Sequence, residues 1–259
     1  MRNVAVLLTF TRQDLIDRYS GSVLGGAWSL LMPLVNILIF TLVFSEIMGA
    51  RLSMAGMQQS EYNYSLYLVS AMLAWNCFSA TVTRTTTIFQ DKAGIIAKVS
   101  ISLRTLPLYL LLSESTIYVI SMVFFLGFIV LIDFPLSWSL LALPVVFVIQ
   151  QVIAYGLGLI FATFSVFLRD IRELVDIVFK VWFWLTPIVY VADIIPDHWA
   201  GVLAYNPVTP FVDAYRDMVL LHQLPSLQFL VVTTTVAGVT LALALFITQR
   251  LQQDIRDFI

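Results

Sequence analysis

The sequence predicts an all-α integral membrane protein, and three observations carry that prediction. Of 259 residues, 60% are hydrophobic and only 12% are charged, with mean hydropathy +0.92. A soluble domain is nearer half apolar and a quarter charged. Apolar runs recur from end to end with no Ser/Gly/Pro-rich linker between them, so residues 1–259 read as a single transmembrane domain. Stretches such as "IYVISMVFFLGFIVLI" show no polar face at helical period, as buried helices of a soluble protein would.

A helix needs about 20 mostly apolar residues to cross a hydrocarbon core of roughly 30 Å. Six runs meet or approach that length: Trp28 to Met48, Leu66 to Val82, Leu106 to Ile132, Leu140 to Phe167, Val178 to Val191 and Phe229 to Thr248. The fifth becomes adequate when it begins near Leu174, giving 174–191. There Arg169 with Glu173, Arg172 with Asp176 and Asp176 with Lys180 are spaced four apart, as in a short amphipathic lead-in helix.

Six spans put both termini on one side, and the segments on that side hold twelve of the basic residues. The opposite side holds only Arg51 and Arg216, so both termini are expected in the cytoplasm. The charged "TRQDLIDR" stretch interrupts the apolar N-terminus, and no cleaved signal is expected. The net charge of −2 identifies no partner and gives no reason to expect nucleic acid.

Four segments lie outside the spans. Over residues 2–22, Val4, Leu7, Leu8, Thr11, Leu15 and Tyr19 define one helical face, with Asn3, Gln13, Asp14 and Asp17 largely opposite. This predicts an amphipathic helix along the membrane surface, or a simple topological anchor. In "RTTTIFQDKAGIIAKVSISLRTLP", Lys92, Lys98 and Arg104 alternate with Ile95, Ile96, Val99 and Ile101. Such a helix suits a soluble partner or anionic lipid. The outer segment around Trp199, Tyr205, Pro207, Pro210 and Phe211 has helical spacing in "TPFVDAYRDMVL" and reads as a re-entrant cap or an ordinary loop with aromatic anchors. The loop "GARLSMAGMQQSEYNYS" is polar and uninformative.

Catalytic signatures are few. There is no G-x-x-x-x-G-K-[ST], no H-E-x-x-H and no Cys/His cluster, so neither a nucleotide site nor a metal site is expected in this chain. Cys77 lies in an apolar run and reads as a packed thiol. Glu114 falls inside the third span, where an acid must face protein or water. His198 and His222 have no partner at motif spacing. A membrane enzyme acting on a lipid carrier through Glu114 or these histidines is one alternative. No internal repeat is visible, which argues against an inverted-repeat secondary transporter.

The stretches "DLIDRYSGSVLGGAWSLLMPLVNILIFTLVFSEI", "IIAKVSISLRTLPL", "FLRDIRELVDIVFKVWFWLTPIVY" and "YNPVTPFVDAYRDMVL" occur in an order that resembles the membrane subunits of type-2 ABC exporters of polysaccharides. These are the Wzm-like permeases for O-antigen and the TagG-like permeases for teichoic acid. The R-Y-x-x-S-x-L-G-x-x-W-S-x-L-x-P-L signature is the most specific part. Where such permeases commonly carry F-P-R-E in the coupling loop, this chain has Ser102 and Leu103.

The resemblance implies six transmembrane helices, an N-terminal interface helix, a cytoplasmic coupling helix and short outer re-entrant gate helices. It implies an exporter of lipid-linked polysaccharide in the bacterial inner membrane, assembled as a homodimer with two copies of an ATPase subunit that binds ATP and Mg. Arg18, Tyr19 and Trp28 would stand near the glycan entrance, and Phe40, Phe44, Trp182, Phe183, Trp184 and Tyr190 would offer flat faces to sugar rings or else face lipid or pack within the protein. Lys92, Ile95, Ile96, Lys98, Val99 and Arg104 would couple to the ATPase, and Trp199, Tyr205, Pro207, Pro210 and Phe211 would form the outer gate. An exporter of the same build for a drug or small lipid is the nearest alternative.

Overall fold

The structure, a computed structural model, describes residues 2–18, 20–23, 25, 28, 31, 35, 38–39, 63–99, 101–190, 201 and 205–259, with the backbone alone for 2–4 and 63. Every regular element among them is helical. Helix α1 (Arg2–Asp17) is followed by isolated helical residues of the first apolar run, among them Trp28 and Val35. The rest of that run, with Tyr19, Phe40 and Phe44, and residues 191–200 with His198 and Trp199, lie outside the described residues. Next come α2 (Asn63–Asp91), α3 (Ala93–Lys98), α4 (Leu108–Leu131), a 3-10 turn (Trp138–Ala142), α5 (Leu143–Ser165) and α6 (Ile171–Leu185). The chain finishes with α7 (Thr209–Arg216), a π turn (Asp217–Leu221), α8 (Leu227–Arg250) and α9 (Gln252–Phe258).

Four of these are long and apolar enough to span a membrane: Tyr64–Asp91, Leu108–Leu131, Trp138–Ser165 and Leu227–Arg250. They correspond to the second, third, fourth and sixth predicted spans. The second differs in length: the apolar run stops at Val82, but the helix continues to Asp91. At 1.5 Å per residue it is about 43 Å long, so its last turns project beyond the hydrocarbon. Helix α6 differs the other way. Its 15 residues reach only about 22 Å. It stops at Leu185 because Thr186 takes the extended backbone that a following proline demands, here Pro187. None of the three charge pairs expected along its lead-in forms an ion pair among the described residues.

Packing centres on α2, whose apolar window is 67% buried, whereas that of α8 is 17% buried. One cluster joins α2 (Leu66, Trp75, Phe78) to α4 (Tyr118, Phe125), α6 (Phe179) and α7 (Phe211, Tyr215). A second joins Phe89, Ile96, Leu106, Tyr109, Leu159, Ala244 and Ile255 at the opposite end. Helix α5 lies between α2 and α8 at very close range. A Cβ at Gly158 would stand 2.7 Å from Thr85 Cβ, and one at Gly156 would stand 2.9 Å from Thr240 Cγ2. Small residues there let the backbones approach where lipid supplies no hydrophobic drive.

Several polar side chains at bilayer depth are paired with one another, which offsets the absence of water there. Thr81 donates to Gln151 Oε1 at 3.1 Å, Gln151 donates to Cys77 Sγ at 2.8 Å, and Tyr215 donates to Gln150 Oε1 at 2.9 Å. Cys77 is buried, as its apolar surroundings indicate.

Candidate functional site

The two ends of the bundle differ in chemistry. At the end holding α1, α3 and α9, a charged cluster joins three elements. Arg84 of α2 donates to both carboxylate oxygens of Asp14 in α1, at 2.5 and 3.1 Å, and to Glu114 of α4 at 2.6 Å. Arg18, just past α1, donates to the same Glu114 oxygen, and Ser113 donates to Asp14 at 2.5 Å. Glu114 is 4% exposed. An acid so deep is tolerable because two guanidiniums meet it.

This corrects the side assigned to Asp14. Leu7, Phe10, Thr11 and Asp14 form the face of α1 that packs on the bundle, while Leu8 and Ile16 point outward. Burial raises the Asp14 carboxyl, but the hydrogen bonds from Arg84 and Ser113 and the charges of Arg84 and Arg18 outweigh it and hold the group below its ordinary value. A cavity of about 510 Å³ opens here, lined by Asp14, Asp17, Arg18, Ala80, Arg84 and Glu114. Three carboxylates against two guanidiniums make it a bridge between helices rather than a ready anion cradle.

Ala80 also lines a second cavity of about 460 Å³, with Trp75, Ser79, Thr83, Asp176, Phe179, Lys180, Phe183 and Trp184. The two cavities meet at Ala80, so the charged cluster adjoins a pocket of aromatic rings flanked by Asp176 and Lys180.

The predicted aromatics divide between two environments. Phe183 and Trp184 line this cavity, and Trp184 is 65% exposed. Trp182 turns into the bundle, packs edge-on against Trp75 and Phe78, and donates its indole N–H to Asn206 at 2.9 Å. Tyr190 donates to the Trp184 carbonyl at 2.9 Å. Trp28 is half-buried.

At the far end, Asn206 ties α6 to α7. It accepts from Trp182 and from the Val208 amide at 3.0 Å, and donates to the Leu185 carbonyl at 3.1 Å and to Thr186 at 2.9 Å. It thereby satisfies a terminal carbonyl that the break at Pro187 leaves without a helical partner. Arg216, 5% exposed, lies over the Tyr67 ring at 3.4 Å. It donates to the Tyr67 and Ile188 carbonyls at 3.3 and 2.9 Å. Of the predicted gate residues, Phe211 is buried edge-on against Phe229, while Tyr205, Pro207 and Pro210 are exposed. His222 stands beside Phe134 at this end, remote from Glu114, so the two do not share a site.

On the coupling stretch, Ile96 is buried, Ile95, Lys92 and Arg104 are half-buried, and Lys98 and Val99 are exposed. Lys92 lies over the Tyr109 ring at 5.8 Å. No group of His, Cys, Asp and Glu suited to a metal occurs among the described residues. Asp14, Arg84, Trp75, Asn206 and Arg216 are the participants that sequence reasoning did not single out. The available signals were Arg84, a charge two residues beyond an apolar run, and Asn206, inside the "YNPVTP" stretch.

Residues 5–220 match the family described as ABC-2 type transporter. The chain is 27% identical over 215 residues to an O-antigen export system permease protein RfbA of Klebsiella pneumoniae, covering 82% of this chain and 79% of that protein. It is 26% identical over 256 residues to the O-antigen export system permease protein RfbA of Myxococcus xanthus, covering 98% and 95%.

Proposed function

The chain belongs to the ABC-2 type transporter family, and from that premise we propose that it moves a lipid-linked polysaccharide of the O-antigen, capsule or teichoic-acid type from the cytoplasmic to the outer face of the bacterial inner membrane. It is the permease subunit of an ABC polysaccharide exporter, a transport subunit rather than an enzyme. An ATPase subunit is its partner. In our reading two copies of this chain pair with two ATPases, which bind ATP and Mg, and α3 docks on the ATPase from the cytoplasm. Both termini then lie on that side, with α7 and the Pro-rich segment before it as the outer gate.

The observation that carries the substrate is the adjacency of two cavities at Ala80. Arg84 and Glu114 line one, and Trp75, Phe179, Phe183 and Trp184 line the other with Asp176 and Lys180 beside them. Flat rings flanked by hydrogen-bonding groups suit sugar rings, which are apolar on their faces and polar at their edges. A drug exporter has less use for such a mixture. In this reading Arg18 and Trp28 mark the cytoplasmic entrance to this site.

The test is genetic and biochemical. A strain lacking this gene should lose surface glycan and regain it on complementation, and the tagged protein should bring down a P-loop ATPase in stoichiometric amount. Unchanged surface glycan in the deletion strain, with export of a drug or lipid impaired instead, would reverse the substrate assignment.

A further inference from the structure

Helix α3 has only six residues, too few to hold itself in water. Two contacts already described, the burial of Ile96 and the approach of Lys92 to Tyr109, fix its start and middle. Its end is held from elsewhere in the chain. Arg256 of α9 donates to the Ile96 carbonyl at 3.3 Å and to the Ile101 carbonyl at 2.5 Å, bracketing the turn that leaves α3. The Ile96 carbonyl belongs to a last helical turn, whose carbonyls run out of intrahelical partners, and one guanidinium serves it together with the Ile101 carbonyl beyond the helix end, both by charge-assisted bonds.

Helix α9 is itself anchored. Ile255 is fully buried in the same cluster as Ile96 and Leu103, and Phe258 meets Phe167 edge-on at 5.2 Å. Only Leu251 separates α9 from α8. The covalent chain joins α3 to α2 and α4, and the Arg256 fork adds a third connection, to α8.

We propose that Arg256 is a positioning residue for energy coupling: it makes α3 and α9 one unit, so that displacement of α3 by the ATPase moves α8 together with α2. This rests on α3 being the ATPase-docking element. Arg256 touches neither nucleotide nor glycan in this role.

The experiment uses the full complex, co-expressed with its ATPase and reconstituted in nanodiscs, with surface glycan measured in cells carrying the same variants. Val99→Asp, at a position 52% exposed on the docking turn, tests the docking reading alone and should release the ATPase. Arg256→Ala should leave the ATPase bound and the KM for MgATP unchanged. Glycan exported per ATP hydrolysed should fall about fivefold, the lower end for coupling between two sites. Arg256→Lys, which keeps the charge, should recover part of that ratio. Phe258→Ala loosens α9 at its exposed end and reads the same quantity in a variant with little folding risk.

An unchanged ratio in Phe258→Ala and Arg256→Ala would overturn the proposal, as would a ratio that falls only in step with lost ATPase. If Val99→Asp retains the ATPase, the docking reading fails and takes the coupling role with it. If Val99→Asp releases it while Arg256→Ala exports normally, docking stands and the Arg256 role alone is wrong.

Discussion

Arg84 and Asp14 meet through two hydrogen bonds of 2.5 and 3.1 Å, so the interface helix α1 is fastened to the central helix α2 by a fork of charge and not only by apolar packing. That fork makes the docking of α1 dependent on acidity. The Asp14 carboxyl is held below its ordinary value in the folded protein. Its contribution is therefore complete above the unfolded value near pH 4 and is lost as pH falls through the lower folded value. The protection factors of the α1 amides should hold from neutral pH to about pH 4 and fall below it, and Asp14→Asn should remove that transition.

Removing one partner from the cluster should be worse than removing two. Arg84→Gln leaves Asp14 only Ser113 and Glu114 only Arg18, and thermal unfolding in detergent should register a loss of about 1–3 kcal/mol, discounted from a fully buried pair because Arg84 is partly exposed. Adding Asp14→Asn should recover part of the loss.

The two tryptophans of α6 should separate structure from transport. Trp182→Ala empties a packed site and frees Asn206, so stability should drop by about 3–5 kcal/mol. Trp184→Ala, at an exposed position lining the aromatic cavity, should leave the melting temperature within a degree or two while lowering glycan export. Equal effects of the two on export and stability would remove the aromatic track.

Gly158 has no room for a side chain. Gly158→Ala places a methyl 2.7 Å from the β-branched Thr85, and unfolding in detergent should show a loss of about 1–3 kcal/mol. Gly94, whose Cβ would meet open space, should accept alanine without penalty.

Arg216→Met keeps the aliphatic stem and removes the bonds to the Tyr67 and Ile188 carbonyls. The expected loss is about 1.5–3 kcal/mol, with faster hydrogen exchange confined to α7 and the residues after α6.

Much of this was legible in the sequence. The four long helices follow from apolar run length, although α2 runs on to Asp91, past the Val82 at which its apolar run stops. The charged cluster was not, for two reasons. Asp14 was assigned to the solvent side by polarity, although a carboxylate packs inward when a guanidinium waits for it. Its partners stand 70 and 99 residues away, beyond any local periodicity. Helix α9 does not stand out because "QQDIRDF" has only two apolar residues, Ile255 and Phe258, and its polar residues look like a solvated tail until Arg256 is seen against the α3 turn. Asn206 stood within a recognised motif, but only the break at Pro187 explains what it supplies.

The cluster also fixes an order of assembly. Arg18 is made 96 residues before Glu114, so at 5–20 residues per second the ribosome leaves α1 without that partner for roughly 5–20 s. During that interval its charges can rest only among lipid headgroups or in water. The nascent N-terminus is thus parked at the membrane surface first and joined to Glu114 only once α4 has been made.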